Sequence, residues 1–258
     1  MKFGDRFALA VVVFALMASA TGQADAAGYV QTNLVTDGSD PAVTAAHTDP
    51  NLVNPWGISF IPGMSPFWVS DNNAGVSTLY DGTGSPVPLV VDIPLPPDTG
   101  GRGGTPTGQV VNLTILTATP GFNIDTFGPA LFIFATEDGT IEAWNATVPE
   151  PDGTPVPNLG FPDDAVEVVN NTAGTTGGGA AGAVYKGLSL ATSATKGPLL
   201  YATNFRTAKI DVFDGTFTQT TVAGAFFIRW VIERTVRRLG SFLFGDWSRF
   251  RCREERDK

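Results

Sequence analysis

An all-β chain built from repeated hairpins is what this sequence predicts, and three observations predict it. The first is a shape that occurs three times: Pro66–Gly82 (PFWVSDNNAGVSTLYDG), Ala130–Asn145 (ALFIFATEDGTIEAWN) and Pro198–Gly215 (PLLYATNFRTAKIDVFDG). Each copy runs from an apolar strand through a short polar turn into an alternating strand. Each ends on an aromatic (Tyr80, Trp144 or Phe213) followed by Asp or Asn. The second observation is 30 Gly and 19 Pro, which suit many short strands joined by turns. The third is 43% hydrophobic against 16% charged residues, enough apolar surface for a buried core. The fold class is all-β, and the units have the size of propeller blades, giving a partial β-propeller of about three blades. The aromatic ends lie 64 and 69 residues apart. That exceeds the roughly 40–50 residues of a common blade because long loops separate the units. Three units do not close a ring, which typically needs about four to eight.

In chain order, residues 1–27 read as a signal peptide. Lys2 and Arg6 are followed by the apolar run Ala8–Ala20 and by the small-x-small pattern Ala24-Asp25-Ala26. A run of thirteen apolar residues is too short to span a bilayer. The expected product is therefore secreted or periplasmic (extracytoplasmic), with no transmembrane segment after cleavage. Residues 28–222 form the expected β-domain. Tyr29–Val35 alternates as a strand. Pro55 excludes a helix interior, and Trp56–Phe60 reads as a strand. The first hairpin turns at Asn72–Gly75, and Val87–Ile93 completes about four strands, one blade. After the Pro/Gly loop Pro94–Gly108, a strand is expected over Gln109–Leu116. Asp138-Gly139 is expected as a two-residue hairpin turn, since Gly accepts positive φ. Asp164–Val169 and Gly187–Ala191 are the remaining strands. Trp56–Phe60 matches Lys186–Leu190, and Thr107–Val111 is a looser copy.

Beyond residue 222 the chain changes character. Residues 28–222 carry 5 basic and 18 acidic residues, whereas 223–258 carry 9 basic and 5 acidic. All prolines lie at or before Pro198, and Cys252, the single cysteine, lies in the tail. One reading is a basic amphipathic helix, with Ile228, Ile232, Val236, Leu239 and Leu243 on one stripe, able to touch an anionic membrane surface. The other, preferred because every compositional trait flips together in mid-repeat, is a tail translated from a shifted frame.

Several function classes are disfavoured. A net charge of −9 suits neither phosphate backbones nor nucleic acid. One cysteine excludes an intrachain disulfide, and a triad or two-histidine metal site would rest on His47 alone. The Gly-rich loop Gly174–Gly182 lacks the Lys-Ser/Thr of a phosphate loop and reads as a connector. Arg102, in a Gly-rich loop, reads as solvated. Asp71, Asn73 and Asp138 sit at hairpin turns, where oxygen ligands suit calcium. Asp and Asn are equally favoured there for local hydrogen bonding, and the pattern does not fit an EF-hand. Glu137 and Asp138 give no reason to face each other as an acid–base pair. Trp56, Trp68, Trp144, Tyr80 and Phe213 read as packing between units rather than a ligand box. Asn112, Asn145 and Asn170 each begin a glycosylation triplet.

The stretches Tyr29–Val35, Thr48–Phe60, Pro66–Gly82, Leu131–Trp144, Gly182–Leu190 and Leu200–Phe217 together resemble an uncharacterised family of secreted bacterial proteins, some with PEP-CTERM sorting signals. The resemblance implies a six-bladed propeller of NHL or lactonase-like type, here truncated. It carries over no catalytic residue. The function expected is a non-catalytic module that binds or scaffolds a ligand or protein partner. The alternative is a lactonase- or lyase-like enzyme using a divalent cation. An incomplete propeller is also expected to self-associate through exposed blade edges.

Overall fold

The computed structural model describes residues 30–97, 100–148, 160–172 and 182–222. The signal peptide, the Gly174–Gly182 loop apart from Gly182, and the 223–258 tail lie outside the described residues. The chain divides into two units, Met1–Asn33 and Leu34–Lys258. In the first, Gln31 Nε2 donates to Asn33 Oδ1 at 2.8 Å. All named elements belong to the second.

The all-β expectation holds. Three four-stranded antiparallel sheets follow one another, each a simple meander. Sheet I is β3 (Pro55–Ser59), β4 (Phe67–Asp71), β5 (Val76–Tyr80) and β6 (Pro86–Asp92). Sheet II is β7 (Pro106–Val111), β8 (Phe132–Thr136), β9 (Thr140–Trp144) and β10 (Val166–Asn170). Sheet III is β11 (Tyr185–Ser193), β12 (Gly197–Asn204), β13 (Lys209–Asp214) and β14 (Gln219–Thr220). A two-stranded parallel pair, β1 (Val35–Thr36) with β2 (His47–Thr48), precedes them. The only helical turns among the described residues are two short 3-10 segments.

Three local expectations are corrected. Of the strand expected over Tyr29–Val35, residues 30–34 lie in no strand and only Val35 joins β1. The strand expected over Gln109–Leu116 stops at Val111, because Leu113–Leu116 is a 3-10 turn. Asn112 causes the break. Its Oδ1 accepts from the Thr114 amide and hydroxyl, and its Nδ2 donates to Gly121 O and Ala130 O. The β8–β9 turn has three residues, Glu137-Asp138-Gly139, rather than two, with Gly139 at φ 96°.

The strands of the three hairpins align in register, although the β8–β9 turn is one residue shorter than the other two. Phe67 faces Tyr80, Phe132 faces Trp144 and Leu200 faces Phe213 at the same register position. The Asp or Asn after each aromatic has a physical reason. Asp81, Asn145 and Asp214 each accept from the amide and hydroxyl of the Thr two residues on (Thr83, Thr147, Thr216), closing the turn out of the third strand.

The core lies between the sheets. Trp68 of sheet I stacks on Phe132 of sheet II, with centroids 4.0 Å apart and planes at 17°, and contacts Trp144 at 4.8 Å. Burying such rings contributes several kcal/mol each, roughly 25 cal/mol per Å² of apolar area. The opposite face of sheet II carries Ile133, Ala135, Ile141 and Ala143, all fully buried. They belong to the same cluster as Leu200, Ala202 and Phe213 of sheet III.

The first strands β3, β7 and β11 lie side by side, with β7 touching both others. A glycine makes each approach possible. A Cβ on Gly57 would sit 2.6 Å from Thr107 O and 2.8 Å from Gln109 N. One on Gly108 would sit 2.6 Å from Gly187 Cα and 2.7 Å from Leu188 N. The backbone of the next first strand rests directly on each glycine. Gln109 seals the first of these junctions, donating through Nε2 to Gly57 O and Trp68 O.

Candidate functional site

The starts of the first strands and the turns of the hairpins bring one polar and aromatic cluster together. Pro55 pairs with Asp71, Pro106 with Thr136, and Tyr185 with Asn204, so each first strand begins beside the end of its second strand. Trp56, Glu137 and Lys186 therefore meet although they come from three sheets. Lys186 Nζ pairs with Glu137 Oε1 and lies 4.7 Å from the Trp56 ring centroid. Phe205, on the β12–β13 turn, flanks the same ammonium at 5.9 Å. An ammonium over an aromatic face is held by the ring quadrupole. Burial lowers the Lys186 pKa from its ordinary value.

Amides extend the cluster into sheet I. Asn72 Nδ2 donates to Glu137 Oε2 at 3.3 Å and to Pro106 O at 3.1 Å. Asn54 Nδ2 donates to Asn72 Oδ1 and Asn73 Oδ1. Trp56 is 46% exposed and Phe205 74% exposed, so two aromatic faces meet solvent beside a paired ammonium and carboxylate.

The sequence-nominated oxygen ligands are placed apart. Asp71 is fully buried on β4, and its Oδ2 accepts from Thr78 Oγ1 at 2.6 Å. Burial raises its pKa to about 7, with the nearby Asp49 carboxylate adding to the shift. Asp49 Oδ2 in turn accepts from Tyr80 OH at 2.9 Å. Asn73 is exposed on the turn and bonded to Asn54. Asp138 Oδ2 accepts from the Thr105 amide and hydroxyl, both at 2.7 Å, and so ties the 100–105 loop to the β8–β9 turn. Each of the three is committed to a different partner. Among the described residues, no group of three or more His, Cys, Asp or Glu is arranged to hold a metal ion.

Arg102 is not merely solvated. Its Nε donates to Asp92 Oδ1 at 2.8 Å and its Nη1 to Asn51 Oδ1 at 3.1 Å. Burial raises the Asp92 pKa to about 6; Arg102 opposes the shift, and Asp164 and Asp163 add to it. His47 sits half-buried in the β1–β2 pair. Trp68, Trp144, Tyr80 and Phe213 are buried packing residues, while Trp56 stands out from that group by its exposure. Of the three triplets, Asn112 and Asn145 are buried with their amide nitrogens donating to backbone carbonyls, and only Asn170 is exposed.

Sequence reasoning missed Lys186 and Phe205. A signal was present: Lys186 occupies the position before the repeated glycine that Trp56 occupies in sheet I. Apart from this cluster, a cleft of about 460 Å³ has Asn123, Asp125, Phe127, Glu167, Thr216 and Phe217 among its lining residues. Its rim includes Asp125 (φ 41°) and Phe217 (φ 60°), both in the left-handed region.

No family model matches the chain. It is 28% identical over 175 residues to uncharacterized protein R648 of Acanthamoeba polyphaga mimivirus, covering 68% of this chain and 36% of that protein. It is 28% identical over 184 residues to uncharacterized protein L690 of the same virus, covering 70% and 41%. The chain thus spans less than half the length of these curated relatives. The relatives found are viral, which corrects the resemblance to a secreted bacterial family. Among the described residues, no helix is long and apolar enough to cross a membrane.

Proposed function

We propose that this chain is a segment of a β-propeller that acts outside the cytoplasm as a non-catalytic binding or scaffold module. It engages a ligand or protein partner through the end that carries Trp56, Phe205, Lys186 and Glu137. The propeller reading is supported by three meander sheets whose first strands lie side by side and touch through a repeated glycine. The observation that carries the binding reading is the pair of exposed aromatics on either side of Lys186. Flat aromatic faces beside charged and amide groups are the composition of binding surfaces. The carboxylates at this end support binding over catalysis, because they are already engaged: Glu137 with Lys186 and Asn72, Asp138 with Thr105.

The test is an array of glycans and peptides probed with the full chain and with the Trp56→Ala and Phe205→Ala variants. A binding module gives saturable signals that fall at least tenfold in both variants while the melting temperature stays the same. Turnover of lactones that is lost on chelation and restored by calcium would overturn this reading and establish a cation-dependent enzyme instead.

A further inference from the structure

One face of sheet I is covered by something other than a neighbouring four-stranded sheet. The faces of sheets II and III that carry Phe132 and Leu200 lie against the sheet before. The corresponding face of sheet I carries Phe67, Val69, Asp71, Val76, Thr78 and Tyr80. No four-stranded sheet precedes it among the described residues, yet all of these but Phe67 are buried. The arm of residues 34–54, which contains the β1–β2 pair, reaches this side. Tyr80 OH donates to Asp49 Oδ2 at 2.9 Å. A Cβ on Gly84, in the β5–β6 turn, would meet Leu34 and Val35. Val69, Val76 and Tyr80 stand outside the hydrophobic cluster that joins the three sheets. The arm and this face therefore pack as a unit of their own, which can open without unfolding the rest.

Two acids sit within that unit. Asp71 is 0% exposed and Asp49 8% exposed. Asp71 Oδ2 accepts from Thr78 Oγ1, while its Oδ1 has no hydrogen-bond partner. Among the described residues neither acid forms an ion pair. Tyr80 lies between them, and burial raises the pKa of its hydroxyl, which stays protonated. Farther along the same row of the sheet, Asp92 sits beyond Val76 and pairs with Arg102, which also holds Asn51 of the arm. His47 of the arm acts on exposed Asp81. A fully buried carboxylate without a cation is costly, so the closed arm favours the neutral acid at Asp71. The Asp49 charge acts in the same direction. At the position of Asp71, sheets II and III carry the neutral Thr136 and Asn204. An acid stands there only where the arm is the covering element.

We infer that the 34–54 arm is a pH-gated cover of sheet I, held shut over the neutral Asp71 carboxyl and loosened as that carboxyl ionises beside Asp49. Opening returns Asp71 to water and to its ordinary pKa of 3.8, against about 7 when closed. Between those values each rise in pH favours the open arm, and outside them the balance is constant. The inference rests on the buried acids and their cover and not on the identity of any ligand.

Amide hydrogen exchange of the full chain, followed by mass spectrometry and corrected for intrinsic rates, is the test. From about pH 4 to about pH 7, protection of the arm is expected to fall at least tenfold and then to level off, while β8, β9 and β12 change less than twofold. Asp71→Asn keeps an acceptor for Thr78 and is expected to abolish the pH dependence. Asp49→Asn leaves Asp71 in place and is expected to move the fall to lower pH. Arm protection that does not vary with pH, an equal loss in all three sheets, or an unchanged profile in Asp71→Asn overturns the inference. Should circular dichroism show Asp71→Asn to be unfolded, an unchanged profile in Asp49→Asn overturns it.

Discussion

At the scale of single residues, the buried carboxyl of Asp71 and the half-buried one of Asp92 shape the pH behaviour. Folding raises the Asp71 pKa from 3.8 to about 7, chiefly by burial. Between those values the unfolded chain has released a proton that the folded chain retains. The buried carboxyl is therefore harmless below pH 3.8, costs progressively more stability up to about pH 7, and costs a constant amount above. Asp71→Asn keeps an acceptor for Thr78. It is expected to raise the melting temperature at pH 8 and to change it little at pH 4. Sheet III already carries an amide at this position, since Asn204 Nδ2 donates to Asp211 Oδ2 at 2.9 Å. Arg102→Met removes the cation beside Asp92, which then faces Asp163 and Asp164 alone. The loss is expected to be on the order of 1 kcal/mol, because the pair is partly solvated, and larger at pH 8 than at pH 5. That Asp81, Asn145 and Asp214 each follow an aromatic was legible in the sequence, while the bond to the Thr two residues on that explains them was found in the structure. Asp71 was not legible as a buried group. Its place beside a turn is visible in the sequence, but its alternation toward the covered face is set by tertiary packing.

At the scale of elements, the hairpins were readable and the strand ends were not. Phe132–Thr136 is buried at every position and its apolar run was clear, whereas Val76–Tyr80 is equally buried although Ser77 and Thr78 are polar. β7 ended early because the Asn112 side chain accepts from the Thr114 amide and donates to the distant carbonyls of Gly121 and Ala130. The aromatic interface makes a direct prediction. Trp68→Ala empties the space against Phe132 and Trp144. It should cost about 3–5 kcal/mol in urea unfolding, as other large-to-small core changes do. The site cluster was only half legible. Trp56 and Glu137 could be named from sequence, but their meeting with Lys186 depends on three first strands arriving at one place, which no single window contains.

At the scale of the whole molecule, the account rests on one contact repeated from sheet to sheet. Gly57 and Gly108 are required because the next sheet's backbone occupies the space of a side chain. Glycines that look alike in sequence differ in what surrounds them. The deciding measurement is urea unfolding of Gly108→Ala and Gly187→Ala. Gly108→Ala would push a Cβ to 2.6 Å from Gly187 Cα and is predicted to lose about 1–3 kcal/mol. Gly187→Ala is predicted to stay within about 0.5 kcal/mol of the unsubstituted chain, since it meets only the Thr203 hydroxyl. Equal losses in the two variants, or no loss in Gly108→Ala, would contradict the repeated glycine junction on which the arrangement of the sheets depends.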